Sequence, residues 1–314
     1  MKNKYVIGTH VMWFEIEMFE DFINGMINLL EPVKTKDNIT IDLCFNLSEK
    51  VESIDTKQID KNQLLAKFNN NVNRLKKVHP NVVWKVHDND EFYFHADYRR
   101  DLNYNYCKKV DYVMWGETDS FFPKEAFQVI ETLSDYTKQQ NIHRYILSFS
   151  DRKMWDASWD PLVHVDYRNH VFIDDENGHL HPKQAKSPMT IKKMNEINAK
   201  ADEFAFGYIK YPKISGACLV LSSDLIKAGI NIPPCLLYND DEGLLILSQQ
   251  LLGENYLQFV CEYVLSEDNP HSFINQKNAN FQKLLELSKV NINCLTTGQG
   301  KFKEYNDLKN ILEL

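Results

Sequence analysis

The first half of the chain alternates short apolar runs with longer segments in which apolar residues recur every three or four positions. The apolar, β-favouring runs predict strands at residues 5–8, 39–45, 82–86, 112–115 and 144–148. The helical spacing predicts helices at residues 17–30, 62–78, 97–109 and 123–140. Alternating strands and helices are typical of a mostly parallel sheet covered on both faces, so the pattern predicts a three-layer α/β/α fold.

The second half of the chain breaks this alternation. Residues 150–212 form an aromatic-rich insert, which predicts either a binding wall over the sheet or a separate hydrophobic cluster. Four histidines in the insert are interpreted as surface residues, since no metal-ligand spacing accompanies them; they are His164, His170, His179 and His181. Strands are predicted at residues 214–221 and 256–265. We expect one domain over residues 1–273, which includes the insert, and a helical appendage over residues 274–314.

Polar side chains end several of the predicted strands. They are Thr9, Asn46, Asp88, Glu117 and Asp119. Ligands of parallel α/β sheets bind outside the carboxyl ends of the strands, so we expect these residues to converge although they are distant in sequence.

Two of these residues, Glu117 and Asp119, lie one residue apart after the apolar run at 112–115 and Gly116. Carboxylates two positions apart at a strand end point the same way, and hard oxygen ligands suit Mg²⁺ or Mn²⁺. The pair therefore predicts a metal site that leaves positions open for a diphosphate. The alternative is an acidic turn that keeps a strand end soluble.

Composition narrows the class of ligand. With 36 Lys and Arg against 44 Asp and Glu, the net charge of −8 argues against a nucleic-acid partner. The chain lacks both the Gly-x-Gly-x-x-Gly and the Walker lysine motifs, which disfavours a nicotinamide cofactor or a P-loop. Its six cysteines form no Cys-x-x-Cys pair, and no apolar run reaches transmembrane or signal-peptide length. We therefore expect a cytoplasmic protein without a transmembrane segment.

A second acidic cluster precedes a leucine-rich helix in the second half of the chain. Asn239 is followed by Asp240, Asp241 and Glu242, and such residues before an apolar run indicate a helix N-terminus. Favourable interaction with the helix dipole explains one or two acids more easily than three. Upstream, Gly216 lies in a run of small residues, where the backbone can approach a ligand closely.

The order of these motifs resembles the nucleotide-sugar-dependent glycosyltransferases of the GT-A fold, especially their family-2-like group. The matching features are the Glu117-Thr118-Asp119 strand tip, the strand with Ser215-Gly216-Ala217, the acids at 240–242 and an Asn-Pro-His turn ending at His271. The family's tip is Asp-x-Asp, so Glu117 is a departure that keeps the carboxylate. The resemblance covers residues 5–273, and the insert departs from the usual pattern.

The resemblance implies a metal-dependent hexosyltransferase that moves a sugar from a nucleoside-diphosphate donor to an acceptor hydroxyl with inversion. Mn²⁺ or Mg²⁺ would be held by Glu117, Asp119 and His271. The base would be one of Asp240, Asp241 and Glu242, with Asp241 preferred. Donor contacts would come from Thr9, Asn46, Asp88, Arg100, Glu117 and Gly216, with Thr9 and Asp88 at the nucleobase or ribose. Two alternatives remain open: a nucleotidyltransferase or diphosphohydrolase with the same metal site, and a catalytically silent GT-A-like binding protein. The acceptor, whether glycan, lipid-linked or protein, is left open.

Overall fold

A computed structural model describes the chain over residues 1–47, 60–89, 93–118, 120, 122–153, 206–208, 216–234, 236, 240–252 and 257–267. Most of the predicted insert and all of the predicted appendage at 274–314 lie outside these residues. The division into domains therefore stays a prediction.

The described residues form eight strands and six α-helices. The strands are β1 (Tyr5–Met12), β2 (Ile39–Asn46), β3 (Val82–His87), β4 (Tyr112–Gly116), β5 (Tyr145–Lys153), β6 (Phe206–Tyr208), β7 (Leu219–Ser222) and β8 (Leu257–Glu267). The helices are α1 (Ile16–Leu30), α2 (Lys61–Val78), α3 (His95–Tyr106), α4 (Ala126–Gln139), α5 (Ser223–Lys227) and α6 (Asp240–Leu252).

The strands form one mixed sheet in the order β3-β2-β1-β4-β7-β5-β8-β6. The four strands from β3 to β4 are parallel, as are β5 and β8, which confirms the predicted α/β sheet. Strand β7 runs antiparallel to both of its neighbours, β4 and β5. Within the strand predicted at 214–221, Gly216–Cys218 form a 3-10 turn and the strand begins only at Leu219, since Gly and Ala have low strand propensity. Residues 214 and 215 lie outside the described residues.

The sheet separates two hydrophobic clusters. Helices α1, α2 and α4 pack on one face, where Phe68 stacks on Phe45 with ring centroids 4.6 Å apart. Helices α3, α5 and α6 pack on the other face, around the buried Trp115. Successive strand residues alternate between the two clusters, so Tyr5 belongs to the first and Val6 to the second. This arrangement confirms the three layers.

Helix α3 lies directly against β1. A Cβ atom at Gly8 would overlap the side chain of Leu102 and lie 2.8 Å from the Tyr98 hydroxyl oxygen. Glycine at this position therefore lets the helix pack closely on the sheet. The close packing fixes the amino-terminal turn of α3 beside the carboxyl ends of the strands.

The amino terminus is anchored to α4 by one carboxylate. Glu131 Oε1 accepts hydrogen bonds from the Tyr5 hydroxyl at 2.7 Å and from the backbone N–H groups of Lys2 and Asn3 at 3.0 and 3.1 Å. Burial alone would raise the pKa of Glu131, but these bonds outweigh burial and lower it. The ionised carboxylate is therefore the form that stabilises the fold.

Replacing Glu131 by Gln is expected to lower the free energy of unfolding at pH 7 by about 1–2 kcal/mol, because the charge-assisted bonds are lost. A lowered pKa in the folded state means that this stabilisation is present above the unfolded carboxyl pKa and disappears as pH falls through the folded value. Urea unfolding at pH 7 and in acid should show a smaller acid-induced loss for Glu131→Gln than for the wild type.

The matched control is Asp135→Asn in the same helix, where an exposed carboxylate pairs with Lys2 at 3.1 Å. Its effect should stay within about 0.5 kcal/mol. An equal effect of the two substitutions would contradict the anchoring role of Glu131.

Candidate functional site

The site is built around the tip of β4. The strand is buried as far as Gly116, and Thr118 is buried again after it. Between them the Glu117 side chain is 29% exposed, so its carboxylate faces the carboxyl edge of the sheet. The edge is where the parallel topology predicts a ligand site.

Arg99 joins this strand tip to two other segments. From the first turns of α3, its Nη2 donates to Glu117 Oε1 at 2.6 Å and to the Gly216 carbonyl oxygen at 3.1 Å. Its Nη1 donates to Asp240 Oδ2 at 2.9 Å, at the start of α6. One guanidinium thus brings together β4, the turn before β7 and helix α6.

Arg99 is almost completely buried and is held by opposite charges. Burial alone would lower the pKa of its guanidinium, but the charges of Asp240, Glu117 and Asp241 outweigh burial and raise it. The guanidinium carbon also lies 4.7 Å from the ring centroid of Trp115, which is a favourable cation–π distance. Arg99 therefore stays cationic.

Glycine at position 216 leaves room for an acid. A Cβ atom there would lie 3.0 Å from Arg99 Nη1 and 3.0 Å from Asp241 Oδ2. Real Cβ atoms almost never approach other heavy atoms more closely, and both neighbours would have to move. The predicted close approach at Gly216 is thus to Arg99 and Asp241 of the same chain.

The two acids that begin α6 have different surroundings. Asp240 is 5% exposed, and its carboxylate is committed to Arg99. Asp241 is partly exposed and lies beside Gly216. The third predicted acid, Glu242, is in the same helix, but its side chain is outside the described part, as is Asn239. Of the described acids, Asp241 is better placed to meet a ligand.

Two histidines lie next to this acidic cluster. His95, one helical turn before Arg99, places its Nε2 4.0 Å from Glu117 Oε1, and its ring centroid is 5.5 Å from that of His10. Burial first, and then the charge of Arg99, lowers the pKa of His95 well below its usual value. Burial and the neighbouring His95 do the same for the pKa of His10. Both imidazoles are therefore neutral near pH 7.

The remaining predicted donor contacts lie at several places along the edge. Thr9 is buried in register with Gly116, and its Oγ1 has no hydrogen-bond partner in the described part of the chain. Asn46 is buried beside His10 and donates to the Tyr93 carbonyl oxygen at 2.6 Å. Asp88 is exposed and pairs with Lys61 at 2.7 Å. Their roles stay predictions.

Arg100 is the other predicted donor contact. Its guanidinium binds Asp97 at 2.6 Å and the carbonyl oxygens of Ile232, Pro233 and Leu236 at 2.9, 3.0 and 3.3 Å. These bonds attach α3 to the loop after α5. The bonds that join the acids of the site come from Arg99, the preceding residue.

Helical periodicity distinguishes the inward-facing Arg99 from Arg100. Tyr98 and Leu102 mark the buried stripe of α3, and Arg99 lies on that stripe. Successive residues of an α-helix point about 100° apart, so Arg100 lies on the flank. A buried cation on an inward stripe requires acidic partners, and the sequence contains two candidate groups at 117–119 and 240–242.

The predicted metal ligands are only partly described. Asp119 and His271 lie outside the described residues, and within these residues no group of three or more His, Cys, Asp or Glu side chains is arranged to hold a metal ion. The part that is described does fit: His95 Nε2 is buried without a hydrogen-bond partner in the described part and lies next to the Glu117 carboxylate. Carboxylate oxygen and neutral imidazole nitrogen are both ligands that Mn²⁺ accepts.

Comparisons with known proteins give similar folds only. No protein-family model and no curated protein matches the sequence. S. aureus TarS 1–349 in complex with UDP-GlcNAc is 10% identical with a TM-score of 0.44, over 98% of this chain and 80% of that chain. The mannosyltransferase PcManGT from Pyrobaculum calidifontis, in complex with GDP-Man and Mn²⁺, is 10% identical with a TM-score of 0.47, over 91% and 65%. A UDP-glucose pyrophosphorylase complexed with UDP-glucose is 6% identical with a TM-score of 0.39, over 89% and 99%.

The mannosyltransferase is of the class that the motif order resembles, whereas the pyrophosphorylase is not. This chain spans slightly less than two thirds of the length of the mannosyltransferase. Among the described residues, no helix is long and apolar enough to cross a membrane.

Replacing Arg99 by Met should lower the free energy of unfolding by about 3–5 kcal/mol, because Asp240 would be left buried without a counter-charge. The double variant Arg99→Met with Asp240→Asn should recover a large part of this loss, since the unpaired charge is gone. Denaturant unfolding of the single and double variants measures both quantities.

Lys227→Met is the control, because Lys227 pairs with Asp224 at 3.0 Å on the surface and is 44% exposed. Its effect should be about 1 kcal/mol or less. If the Asp240→Asn change brings no recovery in the Arg99→Met background, Arg99 and Asp240 are not energetically coupled.

Proposed function

We propose that the protein is a glycosyltransferase that moves a hexosyl group from a nucleoside-diphosphate sugar to an acceptor hydroxyl, with inversion. The observation that carries this proposal is the meeting of Glu117, Gly216, Asp240 and Asp241 around Arg99 at the carboxyl edge of the sheet. These residues come from three distant segments, as the resemblance to the GT-A family requires. A ligand at this edge meets a strand-tip carboxylate and a helix acid together.

The strand tip would hold the donor diphosphate through a divalent ion. Glu117, with Asp119 and His271 as further ligands, would bind Mn²⁺ or Mg²⁺ there. When bound, such an ion neutralises the charge that develops on the leaving diphosphate. Carboxylates bind divalent ions through one or both oxygens, so Glu117 would be able to serve as a ligand while it accepts the hydrogen bond from Arg99.

Asp241 would accept the proton of the acceptor hydroxyl. A general base must come within hydrogen-bond reach of the proton that it removes. Asp240 is buried and bound to Arg99, which removes it from contact with an acceptor. Asp241 is partly exposed and lies next to Gly216. The role of Asp240 would then be to fix α6, and Glu242 is the remaining alternative for the base.

The donor nucleoside would lie along the carboxyl ends of β1, β2 and β3. Thr9 and Asp88 would contact the nucleobase or ribose, and Asn46 and Arg100 would support this part of the site. Thr9 Oγ1 and His10 Nδ1 are buried without a hydrogen-bond partner among the described residues, and a nucleotide can satisfy both atoms. The predicted insert at 150–212 would contribute to the acceptor side.

Asp241→Asn is expected to lower kcat about 10²- to 10⁴-fold, because the amide cannot accept the proton, with little change in donor binding. The control is Asp224→Asn, an exposed residue that is 49% accessible and paired with Lys227 at 3.0 Å, and it should leave the rate unchanged. Both variants should be assayed with Mn²⁺ and a panel of sugar nucleotides, and donor affinity should be measured separately by calorimetry.

The products of the reaction decide between the proposed function and its alternatives. Release of nucleoside diphosphate supports glycosyl transfer, whereas nucleoside monophosphate with pyrophosphate would indicate a nucleotidyltransferase. A protein that no nucleoside diphosphate stabilises thermally in the presence of Mn²⁺ does not bind a donor at all, and this result would refute the proposal.

A further inference from the structure

The acidic cluster of the candidate site already contains a cation that belongs to the chain. Arg99 is 2% exposed and has Glu117, Asp240 and the Gly216 carbonyl oxygen within 3.1 Å of its nitrogens. Asp241 adds a third carboxylate to its surroundings. A divalent ion at the strand tip would therefore meet a fixed positive charge.

The bond between Arg99 and Glu117 is the critical contact. Its length of 2.6 Å is that of a charge-assisted hydrogen bond, and the donor nitrogen Nη2 is also fixed by the Gly216 carbonyl oxygen. The arginine cannot swing away without leaving both Asp240 and that carbonyl unsatisfied in a buried place. Arg99 thus stays in position when a metal ion approaches Glu117.

We propose that Arg99 is a positioning residue that shares the Glu117 carboxylate with the divalent metal ion and thereby sets the metal affinity of the site. Its hydrogen bonds hold Asp240 and Gly216 beside the strand tip. Its charge and its bond to Glu117 lower the affinity of the site for a free metal ion. This role rests on the proposed function. Arg99 would therefore raise the stability of the folded protein and lower its affinity for the metal ion.

Titration of the protein with Mn²⁺ alone, followed by electron paramagnetic resonance or calorimetry, tests this role. The comparison is made in an Asp240→Asn background, because the charge of Asp240 is not left unpaired there. In that background, Arg99→Met should bind Mn²⁺ about tenfold more tightly, since a unit charge about 6 Å from a divalent ion is worth about this factor even at the dielectric constant of water. Arg99→Lys keeps the charge and should stay close to the parent.

Glu117→Gln serves as the control for the location of the ion. Added to Arg99→Met and Asp240→Asn, it should remove the gain in Mn²⁺ affinity, because the shared carboxylate is gone. If Arg99 were purely structural, its loss would weaken Mn²⁺ binding or leave it unchanged. Either of these two results would overturn the proposal.

The proposed function can fail independently of this role. If Mn²⁺ binds and tightens on loss of Arg99, but neither UDP nor GDP stabilises the wild-type protein with Mn²⁺, the metal role of Arg99 stands and the glycosyltransferase proposal falls. If UDP or GDP binds with Mn²⁺ and the Arg99 variants show no gain, the function stands and the role of Arg99 falls.

Discussion

A buried guanidinium among carboxylates holds the candidate site together. Moving a charge out of water is unfavourable by several kcal/mol, and Arg99 recovers this only because Asp240, Glu117 and the Gly216 carbonyl oxygen satisfy its donors. Asp240 depends on Arg99 in the same way, since its carboxylate is also buried and needs a counter-charge. The position of α6 relative to the sheet is therefore dictated by charge pairing in addition to apolar packing.

The antiparallel direction of β7 makes this pairing geometrically feasible. Val220 pairs with Met114, and Ser222 pairs with Tyr112. Because the strands run in opposite directions, the amino end of β7 lies beside the carboxyl end of β4. The turn that contains Gly216 thus arrives at Glu117, whereas a parallel strand in the same place would have delivered its first residues to the opposite edge.

Much of the fold follows from hydrophobic periodicity. The boundaries of β2, α2 and β3 differ from the predicted ones by a single residue, because their apolar stripes end where polar residues begin. The direction of β7 could not be predicted in this way, since an apolar run is the same read from either end. Its neighbours in the sheet are set by long-range contacts that no local pattern contains.

The acids of the site were easier to predict than their partner. Glu117 and Asp240 follow strand-end and helix-start signals that are local in the sequence. Arg99 has no such motif, and its role depends on Asp240, 141 residues later in the chain. The family resemblance favours Arg100, whereas the inward stripe of α3 favours its neighbour Arg99.

This separation along the chain has a consequence for how the protein is made. When ribosomal synthesis has delivered β1 to α4, the central parallel strands can already pair, but Arg99 still lacks the carboxylate of α6. Until that helix emerges, the guanidinium must remain hydrated, and the adjoining surface of α3 stays open to water. Because α6 follows seven of the eight described strands in the chain, the pairing of Arg99 with Asp240 becomes possible only after most of the sheet has been synthesised.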